Sequence, residues 1–242
     1  MTYPGRHVII LFIKGFGILF DIFIILEKYM HTTYIFDFDG TLVDSMPSWI
    51  GKIYYALNAC EAEYPDDIAK IAVTLGDGGT ASYFRDELGV KLGVDEIIAL
   101  MDEFALPKYR DEIVLKEGVR EYLNLLKENG CSLNVLTASP HKMVDPCLCR
   151  NGVYDLFDNV WTCEDFGLTK SNVEIYYAAA QRLGVKTSDV VFVDDNLVPI
   201  KVSREAGMFA LAVHDASAED NRKEIIKAAD KYVASMTELE LI

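Results

Sequence analysis

Paired cysteines, positive charge and internal repeats are what this chain has little of. Its 242 residues include five cysteines: Cys60, Cys131, Cys147, Cys149 and Cys163. The odd count and irregular spacing argue against a disulfide framework. Cys147-Leu148-Cys149 lies near His141, but the spacing is wrong for a zinc knuckle and no second pair exists. Buried, reduced thiols and a cytoplasmic setting are the expectation. Lys and Arg number 23 against 38 Asp and Glu, a net charge of −15. Such a chain repels nucleic acid, so no DNA or RNA partner is expected, and solubility accounts for the acidity. Repeats and low-complexity segments are missing too.

One long apolar run is present. Val8 to Leu26 reads VIILFIKGFGILFDIFIIL, long enough to span a bilayer but broken by Lys14 and Asp21. No small-residue cleavage site follows it, which argues against a secretory signal. Three readings stay open for residues 1–30: an extension from a mis-assigned start with the native chain beginning at Met30, a membrane anchor, or an added packing helix. A membrane partner is expected only if residues 8–26 are a genuine anchor.

Past this extension the chain alternates. Tyr34 to Phe38 reads as a buried strand. Residues 45–115 are helical in pattern, with Pro47 in a first turn behind a Ser45 cap. Further helices are expected over Asp66–Leu75, Thr80–Leu88 and Asp95–Tyr109, with Gly76-Asp77-Gly78-Gly79 as a flexible break. Strands then alternate with helices: Ser132–Thr137, Asn159–Thr162, Val190–Val193 and Phe209–Val213 are strands. Ser139-Pro140 and the capping box Ser171-Asn172-Val173-Glu174 open helices. The order predicts an α/β fold, a Rossmann-like parallel sheet wrapped by helices, with a helical module inserted after its first strand. The expected division is 31–44 and 116–242 as the core and 45–115 as the insert.

Ligands of such sheets bind beyond the carboxyl ends of the strands. Three acid- or hydroxyl-bearing segments fall there. The first is Asp37-Phe38-Asp39-Gly40-Thr41, two carboxylates at a strand end, which call for a cation or a chemical task. The second is Thr137-Ala138-Ser139 before a helix, whose N-terminus favours an anion; Ser139 itself is expected to cap that helix. The third is Asp194-Asp195, ending a second apolar strand. Two acid pairs on separate strands make an oxygen-rich pocket for a hard cation, Mg²⁺ above all. Lys170 lies just ahead of a helix, a poor place for a cation unless an anion offsets it.

In that order these motifs resemble the haloacid dehalogenase-like hydrolase superfamily, in its helical-cap branch, which includes phosphoglycolate phosphatases and β-phosphoglucomutase-like proteins. The resemblance runs from about Met30 to Ile242 and rests on DFDGT at Asp37–Thr41, Thr137, Lys170 and Asp194-Asp195. It implies that Asp37 attacks phosphorus to form an aspartyl-phosphate, while Asp39 protonates the leaving oxygen and then activates water. It implies Mg²⁺ held by the Asp37 carboxylate, the Asp39 carbonyl and Asp195, with Asp194 acting through water or from behind. Thr137, Ala138 and Lys170 would hold the phosphoryl oxygens, and residues 45–115 would be the cap.

Within that superfamily, dehalogenases need no second aspartate at the first motif, so Asp39 favours phosphoryl transfer. The related hexose-phosphate mutases carry a cap histidine where this chain has Trp49, and an arginine after the cap-loop glycine where it has Asp77-Gly78-Gly79. Phosphonatases use a cap lysine; Lys52 and Lys70 are available without a recognisable context. The expected activity is hydrolysis of a small phosphorylated metabolite. Mutase-like transfer and a non-catalytic phosphate-binding module are the alternatives. Gly76–Gly79 is the expected specificity loop, and Arg85 a candidate substrate contact.

Overall fold

The computed structural model describes residues 6–13, 22–29 and 31–242. The apolar N-terminal run does not form the single helix that an anchor or a packing helix requires. Arg6–Ile13 (β1) and Ile22–Tyr29 (β2) are strands, paired antiparallel from Arg6↔Tyr29 to Ile13↔Ile22. Their Ile, Val and Phe content suits a strand as well as a helix, which apolarity alone does not distinguish. Residues 14–21 and Met30 lie outside the described residues. Among those described, no helix is long and apolar enough to cross a membrane.

The rest is built on a parallel sheet of order β5-β4-β3-β6-β7-β8. Its strands are Thr33–Phe36 (β3), Ser132–Thr137 (β4), Asn159–Thr162 (β5), Val190–Asp194 (β6), Phe209–Val213 (β7) and Lys231–Val233 (β8). β3 lies between β4 and β6, with Tyr34 opposite both Leu133 and Val191. Side chains alternate across it. Tyr34 and Phe36 join one apolar layer with Val135, Val193 and Leu211, and Ile35 joins the other with Leu136 and Phe192. Burial on both faces explains why these strands read as continuous apolar runs.

Val119–Glu128 (α4) and His141–Arg150 (α5) cover the first face; Glu174–Leu183 (α6) covers the second. Leu197–Glu205 (α7) and Arg222–Ala228 (α8) close the β7–β8 end. Met46–Ala59 (α1), Ile68–Asp86 (α2) and Val94–Asp111 (α3) form the insert, with an apolar core of their own that includes Trp49, Ile53, Leu57, Phe84, Ile97 and Met101. The chain leaves and re-enters the sheet layer side by side: Val43 bridges Leu115, and the Lys116 N–H donates to the Leu42 carbonyl at 3.0 Å. The far end of α3 leaves the insert's core, and Ala105 and Tyr109 pack into the sheet's layer.

The expected break at Gly76–Gly79 narrows to one residue. Gly76, at φ 68° and ψ 177°, interrupts α2, and helix resumes at once. Three expected caps are corrected. Ser45 precedes α1 but makes no capping bond, and Ser139 is displaced by Pro140 at the start of α5. The Ser171 box does not form: Ser171 Oγ meets Thr169 Oγ1 at 2.8 Å, and Asn172 Oδ1 accepts the Glu174 N–H at 3.0 Å. In the first two cases a carboxylate nearby competes for the hydroxyl.

Candidate active site

Every strand that carries a predicted site residue ends at the same edge of the sheet. Asp37 follows β3 directly, and its N–H donates to the Val193 carbonyl of β6 at 2.8 Å. That bond sets Asp37 beside Asp194 and Asp195. The three side chains are buried, with carboxylate oxygens within 4.8 Å of one another. Lys170 is the counter-charge: its Nζ lies 2.6 Å from Asp37 Oδ1 and 2.8 Å from Asp194 Oδ2. Tyr176 of α6 fixes the lysine's backbone by donating its hydroxyl to the Lys170 carbonyl at 2.7 Å. Asp194 is held from below by the Asn196 N–H at 2.7 Å, and Asp195 by the Thr41 hydroxyl at 2.9 Å.

Burial dominates the electrostatics here. It pushes the Asp37 carboxyl up to about 7; Lys170 opposes that rise and Asp194 adds to it. Asp195 is raised well above the usual carboxylate range, first by burial, then by Asp194, Asp37 and Asp215. For Lys170, burial favours the neutral form, but the Asp194 and Asp37 charges outweigh it and raise the ammonium well above its ordinary value. With all three carboxylates ionised, the one ammonium would leave two negative charges uncompensated, which is why burial and their mutual repulsion favour protons in the absence of a cation. An oxygen-only donor set with that balance fits a hard divalent cation. Gly40 keeps the cluster tight. It sits at φ +74°, and a Cβ there would lie 2.8 Å from Asp195 Oδ2.

Asp39 stands apart from this group. Its Oδ1 accepts the Ser45 hydroxyl at 2.6 Å and the Tyr109 hydroxyl at 2.5 Å; its Oδ2 accepts the Ser139 hydroxyl at 2.5 Å. The tyrosine hydroxyl is raised well above its ordinary value by burial and by the Asp39 charge. Thr137 is buried at the end of β4, where its Oγ1 accepts the Ser139 N–H at 3.0 Å, and Ala138 is exposed between them. Lys116 stiffens the turn that carries Asp39: its Nζ donates to the Gly40 carbonyl at 2.5 Å, the His214 carbonyl at 2.8 Å and Asp215 Oδ2 at 2.8 Å.

Ser45, Tyr109 and Lys116 were not legible as site residues, and Thr41 was legible as part of the first motif but not as the donor to Asp195. Tyr109 lies 70 positions from Asp39, in a helix whose period marks it only as buried. Arg85 does not reach the site. It pairs with Asp86 on the surface, as Lys70 does with Asp220. Cys147 and Cys149 hold nothing together: the former is buried, the latter exposed. A surface cavity of about 520 Å³ between α7 and α8, lined by Lys201, Arg204 and Lys227 among others, touches none of these carboxylates.

Residues 31–207 match the family described as haloacid dehalogenase-like hydrolase. Hexitol phosphatase B of Escherichia coli strain K12 is 25% identical over 221 residues, covering 85% of this chain and 92% of that protein. N-acetylmuramic acid 6-phosphate phosphatase of Pseudomonas aeruginosa is 29% identical over 184 residues, covering 74% and 80% respectively. The crystal structure of CbbY from Rhodobacter sphaeroides in complex with phosphate is similar with a TM-score of 0.76 at 21% identity, over 87% of this chain and 96% of that one. That likeness supports the fold, a parallel sheet flanked by helices. From the match over residues 31–207 and its phosphatase relatives, the chain belongs to the haloacid dehalogenase-like hydrolases, in their phosphatase branch.

Proposed function

We propose that the protein hydrolyses a small phosphorylated metabolite with Asp37 as the nucleophile and Asp39 as the acid and base. The observation that carries this reading is the buried group of Asp37, Asp194 and Asp195 bridged by Lys170. The Asp37 carboxylate attacks phosphorus; an O–P bond forms to the enzyme as the ester O–P bond breaks. Asp39 delivers its proton to the leaving oxygen, then takes one from the water that cleaves the aspartyl-phosphate. Its three hydroxyl partners are able to follow that change, because a hydroxyl both donates and accepts. Lys170 and the Thr137-Ala138 segment receive the phosphoryl oxygens.

The donor set fits Mg²⁺, which Asp37, Asp195 and the Asp39 carbonyl would hold with Asp194 behind them. When bound, it supplies the positive charge that lets a carboxylate approach a phosphate dianion. Residues 31–44 and 116–242 act as the catalytic core, and 45–115 as a cap that excludes bulk water and selects the leaving group. Two curated relatives are named for a hexitol and for N-acetylmuramic acid 6-phosphate, which supports a phosphorylated sugar or polyol as the substrate class.

Release of phosphate from p-nitrophenyl phosphate tests the reading. Turnover is expected with Mg²⁺ and is abolished by chelation. Asp37→Asn falls to background, and Asp39→Asn loses about 10²- to 10⁴-fold. No release above the Asp37→Asn control would overturn the reading.

A further inference from the structure

Lys52 is fully buried in the insert, a rare place for a lysine. Its Nζ lies 2.6 Å from Asp77 Oδ1 and 4.8 Å from the centre of the Trp49 ring. Ser45, just ahead of α1, and Trp49 and Lys52 within it follow each other at i, i+4 and i+7, so they line up in a stripe along one face of the helix. The Ser45 end of that stripe is bonded to Asp39, so the stripe leads from the acid/base into the insert. Asp77 follows Gly76, where α2 breaks. Its side chain is 21% exposed although its partner is wholly buried. Through its ion pair with Lys52, Asp77 is therefore held at the insert end of the stripe that begins at Asp39.

The other cations of residues 45–115 are directed elsewhere. Lys70, Arg85 and Arg110 are paired with Asp220, Asp86 and Asp111 on the surface, Lys91 is exposed, and Lys108 pairs with Glu112. A substrate's second anionic group would meet Asp77 rather than a cation. A neutral hydroxyl would meet a good acceptor.

We infer that Asp77, held in place by Lys52, is the specificity-determining residue of the insert: it accepts hydrogen bonds from the hydroxyls of an uncharged polyol or sugar leaving group and rejects phosphate esters that carry a second negative charge. The inference rests on the phosphatase reading and narrows its substrate class. Lys52 is a positioning residue. It offsets the Asp77 charge inside the insert and fixes the carboxylate's direction. Without Lys52, Asp77 would be free to turn toward solvent.

The test is a panel of kcat/KM values for sorbitol 6-phosphate and glycerol 3-phosphate against phosphoglycolate and 3-phosphoglycerate, with p-nitrophenyl phosphate alongside. The wild type is expected to favour the neutral-tailed esters by about tenfold or more. Asp77→Asn keeps the side chain's size, and it is expected to bring the ratio toward one mainly by lowering KM for the anionic esters. Lys52→Met is expected to collapse the same ratio. Because the ratio is internal to each variant, a general loss of folded enzyme does not move it, and Asp77→Asn carries the test if Lys52→Met does not fold. Turnover of p-nitrophenyl phosphate with a wild-type preference for the anionic esters, or with a ratio unchanged in Asp77→Asn, overturns this inference alone. No turnover of any ester overturns the phosphatase reading along with it.

Discussion

Two aspartates separated by one residue have opposite surroundings. Asp37 is buried among like charges with a lysine beside it, and burial lifts its carboxyl to about 7. Asp39 is surrounded by hydroxyls from three segments: the turn before α1, the end of α3 and the end of β4. One environment asks for a cation; the other offers three hydroxyls that can donate or accept, a division that suits the proposed nucleophile and acid/base. Gly40, between Asp39 and Thr41, makes that separation possible. Alanine there would take up a left-handed conformation at a cost of about 1 kcal/mol and would press on the Asp195 carboxylate. Gly40→Ala is expected to lose far more phosphatase activity than stability. Denaturant unfolding beside steady-state kinetics checks it, and a variant with wild-type kcat/KM would contradict the placement of Gly40 against Asp195.

At the scale of elements, sequence pattern and structure agree wherever burial on one or two faces sets the pattern. Asn159–Thr162 and Phe209–Val213 have the expected limits, because runs of four or five residues between turns are too short for a helix. The failures share a cause. Ser45 and Ser139 carry the local signature of caps, but the Asp39 carboxylate, distant in sequence from Ser139, is a stronger acceptor partner. Tyr109 was invisible as a site residue because its role depends on where α3 ends relative to the sheet. Within Val8–Leu26 the described residues 8–13 and 22–26 are strand, which apolarity does not distinguish from a helix. His141, considered only as a metal ligand, instead joins α5 to the turn after β5: Nδ1 lies 3.1 Å from Asp145 and Nε2 3.0 Å from Asp165. The Asp145 hydrogen bond raises its pKa; burial opposes, and Asp165 adds to the rise. A raised folded-state value means that the stabilisation is full below the ordinary imidazole value of about 6.5 and is lost as pH rises through the folded value. The stability difference between wild type and His141→Gln is therefore expected to shrink from about pH 6 to about pH 8. Urea unfolding at several pH values reads it, and a pH-independent difference would contradict the ion pair.

Across the whole molecule, the insert and the sheet meet at Asp39. α3 begins in the insert's own core and ends in the sheet's, bringing Tyr109 with it, and the paired crossings at Val43 and Leu115 hold the two parts side by side. A movement of the insert would alter the Ser45 and Tyr109 hydrogen bonds on Asp39, so under the proposed mechanism insert position and proton transfer are coupled. Asp37, the proposed nucleophile, is by contrast held by sheet strands and by Lys170. Its motif was legible because all of its parts lie at strand ends or just ahead of a helix. The central claim is that Asp37 becomes covalently phosphorylated during turnover. The most direct measurement is a rapid acid quench of the enzyme turning over a phosphorylated substrate with Mg²⁺, followed by mass mapping of its peptides. The account predicts a phosphoryl group on the peptide that contains Asp37, absent from Asp37→Asn and increased in Asp39→Asn if hydrolysis of the intermediate slows more than its formation. Turnover with no phosphorylated Asp37 peptide at any quench time, or with the label on another residue, would contradict it.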